Sequence, residues 1–301
     1  MLNKFEQGLR RMINKKRLSI LTVILAATLW GSTGTVQALI PEYKEPLVIG
    51  AVRLYLAAIF LFLISIMFDK NLLSAIFKSP VLIAFSGLFM MLYNMTFFAA
   101  VLISGVGVGT AITIGSAPIW AILFELFIFK TKHGLKKLIG ATLAVTGICV
   151  LTLFGDNTDW SNLGAFLALL SGLSYALYSL STSRIVNKLS HHNTAAWTFL
   201  IAAFLSTPVF IFYPSSWVFS HEAIYHLIFL GTFATGVAYS LFTFGLKYLS
   251  SSTAVTLSIV EPITAVILAI IILGEFFSMS QNLAIMIIIL GLYFTSKSEA
   301  N

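Results

Sequence analysis

The sequence has little charge and almost no cysteine. Only 10% of its 301 residues are charged while 58% are hydrophobic, and the mean hydropathy is +0.97. A soluble domain of this size could not hide so much apolar surface from water, so a soluble enzyme is excluded. The one cysteine, Cys149, can form neither an internal disulfide nor a cysteine-based metal site. What remains is a helical protein of the lipid bilayer.

Common catalytic and nucleotide-binding motifs are also missing. The sequence contains no H-E-x-x-H, Walker A or G-x-S-x-G pattern, which are typical of zinc proteases, ATP-driven pumps and α/β hydrolases. Gly105, Gly107 and Gly109 lack the strand and the final spaced glycine of a dinucleotide site. The adjacent His191 and His192 cannot share one helix face to bind a metal. We therefore expect no cofactor, no metal site and no catalytic residues.

Ten apolar segments separated by charges and turn formers make up most of the chain. They cover residues 18–40, 47–68, 81–102, 106–129, 135–154, 162–184, 193–212, 223–246, 250–273 and 279–295. A transmembrane helix needs about 20 predominantly apolar residues. The sequence thus predicts an all-α integral membrane protein with ten transmembrane helices and very short loops.

The basic residues predict the orientation of these helices, because flanking Lys and Arg are retained on the cytoplasmic side. With the amino terminus inside, sixteen of the 18 basic residues lie at cytoplasmic ends, and only Lys44 falls in an outer loop. Both termini are therefore predicted to be cytoplasmic. We interpret residues 18–40 as a retained first helix, since this run is longer than a signal-peptide core. The basic residues 1–17 favour an orientation signal on anionic lipid over nucleic-acid binding.

A shift of 144 positions aligns the first five spans with the last five. It places Phe85 on Phe229, Gly87 on Gly231, Phe98 on Phe242, Pro118 on Pro262, Ala121 on Ala265 and Gly147 on Gly291. Five crossings are an odd number, so the second copy must enter the membrane from the opposite side. We predict two inverted five-helix repeats, residues 18–154 and 155–296, between the tails 1–17 and 297–301. This topology is typical of alternating-access transporters with a site between the halves.

Several short motifs are distinctive. They are Trp30-Gly31-Ser32, Arg53 followed by Leu54-Tyr55-Leu56-Ala57-Ala58, Ala117-Pro118, and Glu261-Pro262 followed by Gly274-Glu275. Together they resemble the EamA family of the drug/metabolite transporter superfamily over nearly the whole chain. The resemblance implies a ten-helix carrier of small organic metabolites, often amino acids or related amphipathic compounds, usually exported across a bacterial inner or plasma membrane. Phe129-Lys130-Thr131-Lys132 departs from the family, which often has Gly-Glu there.

Two ionisable residues lie well inside predicted spans. Glu261 is roughly 16 Å into its span by helical rise, where a charge facing lipid costs at least a few kcal/mol. It should face the interior and bind protons or an ammonium group, or else hydrogen-bond the Ser258 carbonyl that Pro262 leaves unpaired. Arg53 is roughly 9 Å below the outer boundary. It could bind a substrate carboxylate, but we favour an anchoring role with a helix C-terminus or Glu42.

Polar and aromatic residues recur at mid-depth or at helical spacing. Those predicted to bind substrate, together with Glu261, are Trp30, Thr33, Gln37, Tyr93, Asn94, Thr113, Ser116, Tyr175, Ser179, Tyr239 and Ser258. Together they could line an amphipathic cavity, although hydrogen bonding between membrane helices explains each one alone as well. Coupling or gating is assigned to Glu261, Arg53, Pro118 and Pro262. Glu125 is interpreted as an end-of-helix ion pair near Lys130 and Lys132.

The leading hypothesis is a secondary carrier that exports a small organic metabolite by alternating access, driven by an ion or solute gradient, and by protons if Glu261 titrates. An importer or a multidrug exporter of the same fold remains an alternative. An intramembrane lipid-modifying enzyme would need paired carboxylates, a histidine cluster or a metal site. A sensor or assembly subunit would need a large loop or tail. The sequence leaves the substrate, the direction of flux, the coupling ion and homodimer formation open.

Overall fold

The computed structural model describes residues 2–40, 45–69, 71–153, 161–273 and 279–300, which are almost entirely helical. The helices are α1 (Leu2–Ala38), α2 (Pro46–Phe68), α3 (Leu72–Lys78), α4 (Pro80–Phe127), α5 (Leu135–Leu153), α6 (Asn162–Ile185), α7 (His191–Ser206), α8 (Val209–Phe212), α9 (His221–Gly231), α10 (Ala238–Gly245), α11 (Ser251–Leu257), α12 (Val260–Leu268) and α13 (Met279–Ala300). A 3₁₀ turn (Ser216–Phe219) precedes α9, and π-helical segments follow α9 (Thr232–Val237) and α12 (Ala269–Leu273).

Eight helical stretches in the described ranges are long and apolar enough to cross a membrane. They are Ile13–Gln37, Pro46–Phe68, Pro80–Gly105, Val108–Phe127, Asn162–Ile185, His191–Phe212, His221–Gly245 and Ser251–Ile272. These match the predicted spans one to four and six to nine within a few residues. The predicted fifth and tenth spans fall on α5 and α13, and the apolar part of α13 is the shorter stretch Asn282–Thr295. Ten crossings therefore stay a prediction.

A bend at Gly105 divides α4 into two arms. Gly105 has φ 77° and ψ 162°, a backbone conformation that glycine adopts without the steric penalty of a side chain. Beyond the bend the chain turns back toward the first arm. This brings Gly109 so close to the first arm that a Cβ atom placed on it would lie 3.1 Å from the Val101 side chain. Both arms pack against α6. This bend explains the separation of spans three and four that the sequence predicts between residues 102 and 106.

The helices of the two halves begin in different ways. In the first half, α2 and α4 begin with a proline, whose missing N–H is no loss at this position. In the second half, α6, α7, α9 and α11 each follow a serine whose hydroxyl accepts a hydrogen bond from a backbone N–H of the first turn. Such caps satisfy amides that have no partner within the helix.

The two halves, α1–α5 and α6–α13, are interlaced. Helix α1 packs against α10 and α12 of the second half, while α6 packs against α4 of the first half. Helices α2 and α7 pair across the halves, as do α5 and α13. The first helix of each half thus lies against the third and fourth spans of the other half, at the centre of the bundle.

Local geometry repeats at the predicted offset of 144 residues. Phe85 and Phe89 stack with centroids 5.9 Å apart at 27°, and Phe229 and Phe233 stack at 5.7 Å and 22°. Close helix contacts repeat too. A Cβ atom on Gly87 would collide with Ile201 of α7, and one on Gly231 would collide with Leu56 of α2.

Helices α5 and α13 meet along a seam of small residues. A Cβ atom on Gly140 would lie 2.7 Å from the Thr295 amide nitrogen, and one on Gly291 would lie 2.5 Å from the Ala144 amide nitrogen. Gly147 approaches the Ala284 carbonyl in the same way, at 2.9 Å. Small residues allow the two backbones to touch directly, as is common between membrane helices.

Candidate substrate site

An aromatic cluster at the centre of the bundle contains residues from both halves. Trp30 of α1 is 5% exposed, and its ring lies 6.2 Å from Tyr175 of α6, 4.7 Å from Tyr239 and 5.3 Å from Phe242 of α10. Tyr93 of α4 lies 5.0 Å from Tyr175. We call these five residues the central aromatic cluster. Four of them, Trp30, Tyr93, Tyr175 and Tyr239, are residues that the sequence predicts for the substrate site.

A close helix contact positions Trp30. A Cβ atom on the neighbouring Gly31 would lie 2.5 Å from Thr264 Cβ and 2.6 Å from the carbonyl oxygen of Glu261. The absence of a side chain at Gly31 therefore lets α1 touch α12 beside Glu261. The indole of the preceding residue is directed toward α6 and α10 as a result.

Several polar atoms near this cluster are buried without a partner in the described part of the chain. They include Trp30 Nε1, Thr33 Oγ1 and Asn94 Oδ1, all on residues predicted for the site. Ser179 Oγ, a further predicted residue, is also in this state. An unsatisfied buried polar group costs about 1–3 kcal/mol. These atoms are therefore available to a ligand or to water.

Other predicted site residues have partners within the protein. Tyr175 Oη lies 2.9 Å from Ser258 Oγ, which joins α6 to the junction of α11 and α12. Thr113 Oγ1 donates to the Ala168 carbonyl of α6 at 3.2 Å. Ser116 Oγ donates to the Thr113 carbonyl at 3.3 Å. Thr113 thus connects α4 to α6, which is the alternative interpretation that the sequence left open, whereas the Ser116 hydrogen bond stays within α4. Gln37 is partly buried on α1.

Arg53 points into the bundle. It is buried at 7% exposure, its Nε donates to Thr235 Oγ1 of the second half at 3.0 Å, and its guanidinium lies 5.8 Å from the Phe98 ring centre. This differs from the favoured sequence interpretation of an anchor near the outer boundary. Glu42, the suggested partner, lies outside the described residues. Because Thr235 lies in the π-helical segment Thr232–Val237, Arg53 connects α2 to an irregular part of the opposite half.

Glu261 lies in the first turn of α12, directly after a helix break at Ser258 and Ile259. Its own backbone N–H donates to the Ser258 carbonyl at 2.9 Å. The premise that Pro262 leaves the Ser258 carbonyl unpaired is therefore wrong, since the backbone N–H of Glu261 already donates to it. The carboxyl group is partly buried and interacts electrostatically with Arg53, Tyr93 and Tyr175.

A basic and an acidic side chain from opposite halves thus interact electrostatically across one region. Arg53 comes from the first half and Glu261 from the second. Within the described residues they form no direct ion pair, because the ion pairs found within 4 Å both belong to Glu125. Tyr93 interacts electrostatically with both charges. A small molecule with two charged ends would find a complementary group at each end.

The two prolines assigned to gating occupy equivalent positions in the two halves, but the backbone around them differs. Pro118 is buried inside the second arm of α4, and the helix continues through it. Pro262 is buried just after the break that separates α11 from α12. Within the described residues, the helix at Pro262 is thus interrupted beside the central aromatic cluster, whereas the helix at Pro118 is continuous. Interrupted membrane helices are tolerated where they line a cavity rather than lipid.

A buried polar group at the end of α4 was recognised only in part from sequence. Glu125 accepts hydrogen bonds from the Ser252 N–H, at 2.9 Å, and from the Ser252 hydroxyl. It lies 3.4 Å from His133 Nε2 and 3.6 Å from Lys137 Nζ, and Lys137 donates to Ser250 Oγ at 2.7 Å. We call these five residues the Glu125 cluster. It joins α4 and α5 to the first turn of α11 in the other half.

The ion pair expected for Glu125 is present with Lys137 rather than with Lys130 or Lys132, and His133 Nε2 lies close to the same carboxylate oxygen. The run Ser250-Ser251-Ser252 before an apolar segment was the signal that could have indicated the rest. Serine is a preferred helix cap, and the free amides at a helix start attract a carboxylate.

Comparisons with known proteins agree with this architecture. The model of the EamA-like transporter family matches residues 17–153 and again residues 162–297. The chain belongs to the EamA-like transporter family. The two matches fall on α1–α5 and on α6–α13, so this EamA-family chain contains two copies of the family unit.

Relatives of this EamA-family chain are named as transporters. It is 36% identical over 278 residues to "Uncharacterized transporter YwfM" of Bacillus subtilis, covering 92% of this chain and 93% of the relative. It is 23% identical to "Uncharacterized inner membrane transporter YicL" of Salmonella typhimurium, covering 91% and 93%. A solved structure titled "Crystal structure of protein" aligns with a TM-score of 0.78 at 19% identity, covering 92% of this chain and 95% of the other. The chain is thus a multi-pass membrane protein of a transporter family, and the solved structure shares its fold.

Proposed function

We propose that this EamA-family protein is a secondary active transporter that exports an amino acid or a related small amphipathic compound across the plasma membrane. One observation carries the proposal. The central aromatic cluster, built by both halves, lies beside unpartnered buried polar atoms and beside one basic and one acidic side chain, Arg53 and Glu261. Small-molecule sites typically combine mostly apolar walls with a few converging polar groups.

The chemistry of an amino acid fits this arrangement. Its carboxylate would pair with the guanidinium of Arg53, and its ammonium group with the carboxylate of Glu261. Its side chain would contact the rings of Trp30 and Tyr239. A charged group buried in a membrane protein needs a partner of opposite charge. A zwitterion would therefore relieve two desolvated charges at once.

Motion of one half against the other would provide alternating access. The exchange of contacts, in which α1 lies on the second half and α6 on the first, supports two inverted repeats around a shared site. The Glu125 cluster connects the halves at the end of the bundle predicted to be cytoplasmic. Opening toward that side would separate Glu125 from Ser252.

Counterflow in liposomes tests the proposal. Purified protein is reconstituted with a high internal concentration of one unlabelled amino acid, and entry of the labelled form is followed across a panel of aliphatic, aromatic, basic and acidic amino acids. We expect counterflow for at least one of them, and a rate at least about tenfold lower in Glu261→Gln, which corresponds to about 1.4 kcal/mol. The matched control is Glu222→Gln, because Glu222 is exposed in the first turn of α9.

Wild-type protein that is folded but gives no counterflow with any member of the panel would contradict the substrate class. Equal rates for Glu261→Gln and wild type would contradict the site. Proton coupling is tested separately by imposing a pH gradient. Transport that ignores the gradient in both wild type and Glu261→Gln excludes protons as the coupling ion.

A further inference from the structure

A groove of about 510 Å³ lies outside the central site, between the two arms of α4 and along α6. Phe85 and Phe89 of the first arm form one wall, Phe129 follows the second arm, and Leu177 and Leu180 of α6 form the floor. Phe85 is 48% exposed, so the groove opens on the outer surface of the bundle. Its position on the lipid-facing side distinguishes it from the central aromatic cluster.

The groove has one charged end. Arg184 and Lys188 lie four residues apart at the end of α6, and both are exposed. The guanidinium of Arg184 lies 3.9 Å from the ring centre of Phe129. This cation–π contact holds the cation against the aromatic wall, and the exposed Arg184 still has N–H groups that can donate to an anion.

The remaining polar group of the groove is already used, since Ser181 Oγ donates to the Leu177 and Tyr178 carbonyls. The ion pairs observed among the described residues both belong to Glu125 and involve neither Arg184 nor Lys188. The groove therefore joins a long apolar wall to a positive end that no described carboxylate neutralises.

We propose that this groove binds an anionic phospholipid, with its phosphate at Arg184 and Lys188 and an acyl chain along Phe85, Phe89 and Leu177. Both cations lie at the end of a membrane-spanning helix, which is the depth of lipid headgroups. Basic residues at such a position attract anionic lipid by about 1 kcal/mol each. An apolar groove open to the bilayer matches an acyl chain and offers nothing to a small hydrophilic anion. The site is separate from transport, so its test does not depend on the proposed substrate.

Native mass spectrometry of detergent-solubilised protein tests the proposal. The protein is mixed with equal amounts of phosphatidylglycerol and phosphatidylcholine that carry the same acyl chains. We expect wild type to retain phosphatidylglycerol in preference by on the order of tenfold, and the double variant Arg184→Gln/Lys188→Gln to lose this preference. The matched control is Lys132→Gln/Lys136→Gln, which removes the same charge from exposed residues outside the groove. It should keep the preference.

Two further measurements distinguish a bound lipid from a bound free phosphate. Leu177→Trp keeps both cations but fills the groove, so it should reduce retention of phosphatidylglycerol severalfold while the protein stays monodisperse. Glycerol phosphate, which carries the phosphate without an acyl chain, should not displace the lipid at a hundredfold excess. Equal retention of both lipids by wild type, an equal loss in the control, an unchanged preference in Arg184→Gln/Lys188→Gln, or displacement by glycerol phosphate would each overturn the proposal.

Discussion

In the first half the fourth span carries Ala117 before Pro118, and in the second half the equivalent place carries Glu261 before Pro262. The fourth span of the first half stays helical through Pro118. Its equivalent in the second half, the ninth span, is broken at Ser258 and Ile259, just before Pro262. The halves share a scaffold and packing at a fixed offset, yet differ where the interior is polar. The comparison teaches that the repeat builds the bundle, while the positions at which the copies diverge supply the chemistry.

Arg53 shows the same divergence in the second span. The equivalent position of the second half is Trp197, whose Nε1 donates to the Leu72 carbonyl at 2.9 Å. One copy therefore places a cation toward the centre, and the other places an indole in a contact that holds α7 to the start of α3. The following predictions compare such unequal positions, from the largest expected effect to the smallest.

The largest effect is expected at Glu125, whose equivalent in the second half is Ala269. Glu125→Ala should lower the free energy of unfolding by about 3 kcal/mol, because it leaves Lys137 buried without its carboxylate and the first turn of α11 without an acceptor. Thermal unfolding in detergent measures the change, with Glu222→Ala as the exposed control. A loss no greater than that of the control would show that the Glu125 cluster does not stabilise the contact between the halves.

Gly87 and Gly231 are predicted to behave alike, because they occupy equivalent contacts. Gly87→Leu and Gly231→Leu should each lower the free energy of unfolding by about 1–3 kcal/mol, since the new side chain collides with Ile201 or Leu56. Gly34→Ala is the control, because a Cβ atom there meets nothing within 4 Å. A large decrease in the free energy of unfolding for only one of the two leucine variants would contradict the structural equivalence of the halves.

If Arg53 binds the carboxylate of the substrate, its substitution should affect substrates with a carboxylate more than substrates without one. Arg53→Gln should slow counterflow of an amino acid at least about tenfold but leave its decarboxylated amine, if carried, nearly unchanged, because the lost partner is the carboxylate. Trp197→Phe tests the equivalent position of the other half and should retain transport of both. Equal slowing of the amino acid and the amine by Arg53→Gln would contradict the assignment of Arg53 to the carboxylate.

The smallest effect concerns Asp69, which connects α2 of the first half to α7 of the second. The Asn71 backbone N–H and the Ser190 side chain hydrogen-bond its carboxylate and hold the pKa of Asp69 below its usual value. A lowered pKa in the folded state adds stability above the unfolded pKa of about 3.9, and this stability is lost as the pH falls through the folded pKa. Asp69→Asn should therefore lower the unfolding temperature slightly at neutral pH, and the decrease should shrink as the pH falls below the unfolded pKa of about 3.9. A larger decrease of the unfolding temperature in acid than at neutral pH would contradict the lowered pKa of Asp69.

The spans and the repeat offset could be predicted from sequence because both depend on local patterns. Apolar runs bounded by turn formers located eight membrane-spanning stretches, and the predicted break between residues 102 and 106 coincides with the bend in α4 at Gly105. The offset placed Phe85 and Phe229 in matching stacked pairs. Predicting each of these features requires only the residues nearby in sequence, or the recognition of a pattern that occurs twice in the chain.

Side-chain direction and distant partners could not be predicted in the same way. Helical rise gave the depth of Arg53, but its inward direction depends on α2 packing against the segment around Thr235, 182 residues away. The hydrogen-bond partner of Glu125 in the other half, Ser252, lies 127 residues further along the chain. Pro118 and Pro262 look alike in sequence, although only the second accompanies a helix break. Rotation about a helix axis is set by tertiary contacts, which a single sequence does not contain.

The seam between α5 and α13 bears on how the bundle could move. Its backbones touch along Gly140 and Gly291, so the two helices cannot come closer, and separating them would give up close van der Waals packing. Relative rotation of the halves is therefore least costly about an axis that runs along this edge. Displacement grows with distance from such an axis, so the side of the bundle opposite α5 and α13 would travel furthest.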